Sequence, residues 1–261
     1  PLLRIKYKVV LTTHGLHTEE KFKYLKYIYI AFDWMFLRFS NVITTVSQED
    51  FRKVSKLGIS NRVFIPNGIR LPDKIYPPFD HEEDYLLFAA GRIYEGKGCH
   101  IMMEALLKMK YRGRVIIAGD LDQEMRYKEK ILRMANDLGN VRYVGMVRDK
   151  EILYSLVQNA KLFIYPSQKE AMSIMLLEVC ALKTPIVCSD CRGNLDLFSS
   201  DEALFAEQDN IEDWVKKIDW ALNNPVEMER KANIAYNKLV NEHSWPSIAK
   251  QYEIVFDKQL D

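Results

Sequence analysis

Two kinds of apolar patterning alternate along the chain. Short, dense runs of Val, Ile, Leu and Phe recur at Lys8–Thr13, Val42–Val46, Arg62–Ile65, Tyr85–Ala90, Arg114–Ala118, Val141–Val144, Leu162–Tyr165 and Pro185–Cys188, with a weaker one near Leu204–Phe205. Between them lie longer stretches whose apolar residues return every three to four positions, around 19–39, 49–57, 99–110, 124–137, 149–158, 173–182, 211–222 and 226–241. A run with almost no polar position fits a strand buried on both faces, and the longer stretches fit helices covering it. Strict alternation of the two predicts a parallel sheet with helices on both sides, an α/β fold.

Punctuation supports these elements. Ser47 is placed to cap the helix that follows it, Gly58 to end that helix, and Pro66-Asn67-Gly68 to turn. Pro72, Pro77 and Pro78, followed by the acidic run His81-Glu82-Glu83-Asp84, read as a linker. Ser244 is placed to cap a last helix. The expected organisation is a partial N-terminal α/β lobe over 1–75, a complete Rossmann-like lobe over 76–243, and a C-terminal helix over 244–261. Pro1 reads as an internal start, so the chain is expected to be a fragment, or to be completed by a partner. Missing strands would leave sheet edges and apolar surface open.

The stretch 19–39 mixes aromatic and basic residues on nearly every helical face. That suits a helix packed inside a lobe, the preferred reading, and also one lying on a membrane surface. Its most apolar part, Tyr27–Phe39, is too short to span a bilayer and is cut by Asp33 and Arg38.

Composition changes this picture little. With 261 residues, 48% hydrophobic and 28% charged, the chain has ample material for cores. The net charge of +1 is unevenly spread: residues 1–56 carry ten Lys/Arg against five Asp/Glu, and the remainder 27 against 31. The basic N-terminal part is therefore the expected site of any peripheral contact with an anionic membrane. No signal-peptide pattern is visible, and a cytoplasmic place, with the inner face of the membrane as its variant, is expected. No nucleic-acid partner is expected. Cys188-x-x-Cys191 is half a zinc spacing without a second Cys/His pair, and Cys99 and Cys180 fall in apolar helical text. All four read as reduced thiols, with no metal.

Three places carry chemistry. The first strand ends in His14-Gly15, where doubly wound folds put ligands. Gly91-Arg92-Ile93-Tyr94-Glu95-Gly96-Lys97-Gly98 joins a strand to a helix; its glycines allow close backbone approach, and Arg92 and Lys97 offer two cations to a diphosphate. It matches neither the Walker loop nor Gly-x-Gly-x-x-Gly. The third is Glu170 to Leu182, where Glu170 precedes, and Glu178 interrupts, an otherwise apolar helix. A carboxylate among Leu and Val is costly without a partner, and a helix start suits a phosphate. The set fits an anionic ligand with hydroxyls on both sides, such as a nucleotide sugar.

The Glu170-x7-Glu178 spacing, the Gly91-Arg92-x4-Lys97-Gly98 loop, Thr12-Thr13-His14-Gly15, Ile65-Pro66-Asn67-Gly68 and Ser244-Trp245-x-x-Ile248-Ala249-x-x-Tyr252 together resemble the retaining glycosyltransferases of the family 4 type, which have the two-lobed GT-B fold. The resemblance implies transfer of a hexose from a nucleoside diphosphate sugar, with UDP, GDP or ADP as the nucleotide, to an acceptor hydroxyl of a sugar, lipid or other molecule, without metal or cofactor. It implies that Arg92 and Lys97 hold the diphosphate with Gly91, that Glu170 orients the donor sugar, that Glu178 binds the ribose, and that His14 faces the cleft. The loop Gly145-Met146-Val147-Arg148-Asp149 would lie against the base through Val147 and Arg148. Ala171, Met172 and Ser173 stand where the family has Gly-Phe-Gly, beside the donor. Asp120-Leu121-Asp122 has the spacing of a metal-binding pair but sits at a strand end that uses no metal in this family. A GT-B nucleotide-sugar epimerase and a non-catalytic nucleotide-sugar-binding module are the alternatives.

Overall fold

In the computed structural model, residues 8–16, 25–79 and 84–260 are described. The chain forms two units, one made of residues up to Gly68 together with those from Glu242 onward, the other of Ile69–Asn241.

The larger unit is a six-stranded, all-parallel sheet of β4 (Tyr85–Arg92), β5 (Val115–Asp120), β6 (Val141–Gly145), β7 (Ala160–Tyr165), β8 (Ile186–Ser189) and β9 (Leu204–Ala206), in the order β6-β5-β4-β7-β8-β9. Successive side chains of a strand point to opposite faces, and here both faces are covered. Leu87, Ala89, Ile116, Phe163 and Tyr165 join one core with Leu156, Leu177 and Leu239. Leu86, Phe88, Val115, Ile117, Leu162 and Ile164 join the other with Met102, Ile131 and Trp214. The unbroken apolar runs are explained by this double burial.

The helices of this unit are α3 (Cys99–Met109), α4 (Met125–Leu138), α5 (Lys150–Gln158), α6 (Ile174–Ala181), α7 (Arg192–Leu197), α8 (Ile211–Asn223) and α9 (Pro225–Glu242). All but α7 lie where periodicity predicts them. At six residues α7 is too short to show a period. From β4 the sheet grows one way to β5 and β6, then resumes on the other side of β4 with β7. That reversal opens a crevice at the carboxyl ends of the strands.

The smaller unit holds a parallel three-stranded sheet, β1 (Val10–Thr13), β2 (Val42–Thr45) and β3 (Arg62–Phe64), with β2 central, and the helices α1 (Leu25–Arg38), α2 (Gln48–Lys56) and α10 (Trp245–Leu260). Ser47 caps α2 by accepting from the Asp50 N–H at 3.0 Å. Ile248 and Val255 of α10 pack on Val42 and Ile65. The helix thereby belongs with this sheet.

The division into two units falls at Gly68/Ile69 and Asn241/Glu242, a few residues from the expected 75/76 and 243/244. Ile69 and Tyr76 are buried in the larger unit's core, and the Tyr76 N–H donates to Gln158 Oε1 at 2.7 Å. Much of the proline-rich stretch is therefore packed structure rather than linker. The helix read as packed inside its lobe buries Leu37 but leaves Tyr27, Ile28, Phe32, Trp34, Met35, Phe36 and Phe39 exposed; residues 19–24 of that stretch lie outside the described residues. Among the described residues no helix is long and apolar enough to cross a membrane.

Candidate functional site

The crevice at the switch point is a cavity of about 560 Å³. Its floor is Ala89, Ala90 and Gly91 from β4 with Ala118 and Gly119 from β5; its walls are Met146, Val147 and Arg148 after β6, Lys150 and Leu153 of α5, and Ile174, Met175 and Glu178 of α6. A Cβ built on Gly91 meets nothing within 4 Å, so this glycine leaves the strand end open on the cavity. Gly119 differs: its φ is 142°, and a Cβ would fall 2.0 Å from the Ala90 carbonyl oxygen. It lets β4 and β5 close up beneath the cavity.

Glu178 is buried and lines this cavity, and its carboxylate accepts from the Lys150 ammonium. The Lys150 side chain is 63% exposed against 6% for Glu178. The pair thus couples a buried anion to a cation in solvent. Of the sequence-predicted residues, Gly91, Val147, Arg148 and Glu178 line the cavity.

A second group lies on the loops after β4 and β7. After β4, Tyr94 leads into a 3₁₀ turn, Glu95–Lys97, and Gly98, with φ 71°, starts α3. After β7, Pro166 and Ser167 lead to Glu170. The two loops join where the Gln168 N–H donates to the Gly96 carbonyl at 2.9 Å. Lys97 Nζ lies 2.6 Å from Glu170 Oε1, with the side chains 18% and 9% exposed. The same oxygen accepts from Tyr165 Oη at 2.8 Å and Ser167 Oγ at 2.6 Å. Three donors, one of them charged, converge on this one oxygen in a dry setting.

Behind the loop, Ser189 Oγ donates to the Ser167 carbonyl, and Asn194 Nδ2 donates to Ser189 at 3.1 Å. A Cβ on Gly193 of α7 would fall 2.2 Å from the Glu170 carbonyl oxygen. The unpredicted helix is therefore the backstop of the Glu170 loop. Burial pushes the thiol of Cys191, at the start of α7, above the usual range.

Ser173 caps α6 by accepting from the Leu176 N–H at 3.4 Å, while Ala171 and Met172 are half-buried beside it. Arg92 is exposed at the end of β4. His14 lies in the smaller unit, exposed just after β1. Asp120 is engaged locally: it accepts from the Asp122 N–H at 2.8 Å and Gln123 Nε2 at 2.6 Å, which lowers its pKa. Lys150 and Tyr165 were missed by sequence reading. A lone lysine after a helix cap, or a phenol ending an apolar strand, carries no pattern of its own.

Residues 73–238 match the family described as Glycosyl transferases group 1. The chain belongs to that family. Among relatives of this group 1 member, the N,N'-diacetylbacillosaminyl-diphospho-undecaprenol alpha-1,3-N-acetylgalactosaminyltransferase of Campylobacter jejuni is 24% identical over 212 residues, covering 79% of this chain and 54% of the relative. The capsular polysaccharide biosynthesis glycosyltransferase CapM of Staphylococcus aureus is 20% identical over 232 residues, covering 86% and 60%. The chain spans about half the length of the curated relatives it matches. Among solved structures, sucrose-phosphate synthase from Thermosynechococcus elongatus superposes with a TM-score of 0.82 at 18% identity, covering 98% of this chain and 69% of that one. Anabaena HepE in complex with UDP gives 0.84 at 16%, covering 96% and 72%. The fold is GT-B.

Proposed function

We propose that this group 1 protein transfers a hexose from a nucleoside diphosphate sugar to an acceptor hydroxyl, with retention at the transferred carbon and without a divalent metal, as in the family 4 type. The observation that carries the reading is the glycine-floored cavity at the switch point, with the buried Glu178 carboxylate on one wall.

In this reading Glu178 accepts from the ribose hydroxyls, and Val147 and Arg148 lie against the base. The open β4 end at Gly91, with Arg92 and Lys97, receives the diphosphate, helped by the N–H groups around Ala171, Met172 and Ser173 at the start of α6. Charge developing on the leaving diphosphate is met by the two cations, the work a metal does elsewhere. Glu170, held by Lys97, Tyr165 and Ser167, orients the donor sugar, and His14 serves the reacting end.

A thermal-shift screen over UDP-, GDP- and ADP-sugars, each with and without EDTA, tests this. A ligand at a hundred times its Kd raises stability by about 2.7 kcal/mol. We expect one nucleotide series to stabilise the protein equally in both arms, with UDP-glucose tried first because HepE was solved with UDP and glucose. No shift with any series defeats the donor reading; a shift abolished by EDTA and restored by Mg²⁺ or Mn²⁺ defeats metal independence. The anomeric configuration of product by NMR tests retention.

Peripheral contact with an anionic membrane, at the cytoplasmic face, belongs to the same proposal. It is supported by the exposed aromatic side chains of α1 and the basic balance of residues 1–56. Co-sedimentation with vesicles containing phosphatidylglycerol, and none with neutral ones, is the expected result; equal recovery from both removes the contact.

A further inference from the structure

Tyr165 is the last residue of β7, and its buried ring lies against Phe163 and Phe88, with ring centroids 5.8 Å and 6.4 Å away. A phenol can donate one hydrogen bond and accept two. All three are used. The O–H donates to Glu170 Oε1 at 2.8 Å, and the oxygen receives Ser173 Oγ and Lys97 Nζ, each at 3.3 Å. One buried hydroxyl therefore touches the Glu170 carboxylate, the Lys97 ammonium and the residue that caps α6. Burial, then the Glu170 charge, hold the phenol well above its ordinary pKa, so it remains a donor.

We infer that Tyr165 is a positioning residue for donor-sugar recognition: it fixes the Glu170 carboxylate so that it meets the sugar in one orientation, while Lys97 keeps its own 2.6 Å anchor on Glu170 and its place toward the diphosphate. This rests on the donor reading above. The ring supplies rigidity, because it is buried and packed against Phe163 and Phe88. The hydroxyl supplies direction, because without it Glu170 Oε1 is left with Lys97 and Ser167, both able to rotate. The phenol makes no contact with the cavity that would receive the nucleoside, since Tyr165 is absent from its lining. Its removal should be felt at the sugar end of the ligand and spare the nucleotide end.

Tyr165→Phe keeps the ring and removes the hydroxyl. The experiment titrates wild type and variant with a nucleoside diphosphate and with the matching nucleotide sugar from the thermal-shift screen, and measures transfer with the same donor. We expect the affinity gained from the sugar to fall about tenfold, the size of one lost hydrogen bond to a charged group. The nucleoside diphosphate should bind within about twofold of wild type, and kcat should fall more than KM rises. A purely structural role would weaken both ligands in parallel. Should Tyr165→Phe fold poorly, Ser167→Ala removes another donor from the same oxygen and is expected to shift the same ratio. An unchanged ratio in a folded variant overturns the inference while leaving the donor reading intact. A wild-type protein that binds no nucleotide sugar brings down both.

Discussion

Gly98 and Pro166 meet backbone to backbone: a Cβ on Gly98 would lie 2.0 Å from the Pro166 carbonyl oxygen. Gly98 also sits in the left-handed region, at φ 71°. The contact locks the loop carrying Lys97 to the loop carrying Glu170, so an ion pair between residues far apart in sequence rests on a glycine beside it.

Gly98→Ala should therefore be strongly destabilising. The left-handed conformation alone costs about 1–2 kcal/mol with a Cβ, and the overlap with a backbone carbonyl requires the loops to part. Gly91→Ala should leave stability near wild type, because nothing lies within 4 Å of the new methyl and φ is not positive. Its effect is expected on nucleotide affinity. Urea midpoints and calorimetry on both variants check this, and a Gly98→Ala protein with the wild-type midpoint would refute the locking contact.

Lys97 and Arg92 should separate by stability. Lys97→Met leaves a mostly buried Glu170 without its cation, a change that costs about 3 kcal/mol at the lower end for broken buried pairs. Adding Glu170→Gln should recover part of that. Arg92 is exposed, so Arg92→Ala should melt like wild type yet lose about 1.5–3 kcal/mol of diphosphate affinity. If both variants bind a nucleoside diphosphate normally, the loop is not part of the site.

Glu178 is paired with an exposed lysine, not with a buried cation. Because the Glu178 side chain is only 6% exposed, Lys150→Met leaves a buried carboxylate without its cation and should lower the melting temperature, an effect that adding Glu178→Gln should partly reverse. Glu178→Gln keeps the volume and is expected to melt almost normally while losing about 1–3 kcal/mol of nucleotide affinity. A large drop in melting temperature with unaltered affinity per folded molecule would sink the ribose assignment.

His100 gives stability a dependence on pH. Burial, then the nearby Lys130, hold its pKa below the usual imidazole value, against the smaller opposing effects of Glu104, Glu95 and Asp209. Its ring also meets Tyr127 Oη at 3.0 Å. The unfolded chain then holds more protons than the folded one at and below about pH 6.5, so stability falls as pH drops through that window. Urea midpoints at pH 5.5 and 7.5 should differ less for His100→Gln than for wild type; an equal difference would clear His100 of the effect.

The four cysteines are free and buried, and burial raises the thiol pKa of each. Thiolates are the reactive form. A thiol-reactive dye should label the native protein slowly and all four positions rapidly in urea, and fast native labelling would contradict this burial.

Residue order alone determined the parallel, helix-covered sheet, because strands buried on both faces leave no room for polar positions and such runs are visible one residue at a time. It also placed cations and carboxylates on particular loops, since which residue stands in which loop is a property of the order itself. What packs against what was decided only in three dimensions. Prolines report backbone restriction rather than burial, so the stretch holding Ile69 and Tyr76 reads as linker yet lies in a core. The aromatics of α1 fall on every face, and their pattern could not choose a covered side. Lys97 with Glu170, Lys150 with Glu178, and Tyr165 with three polar groups are contacts between loops and strand ends brought together by the sheet order. Their energy depends on distance and on exclusion of water, and neither is a property of neighbouring residues in a chain.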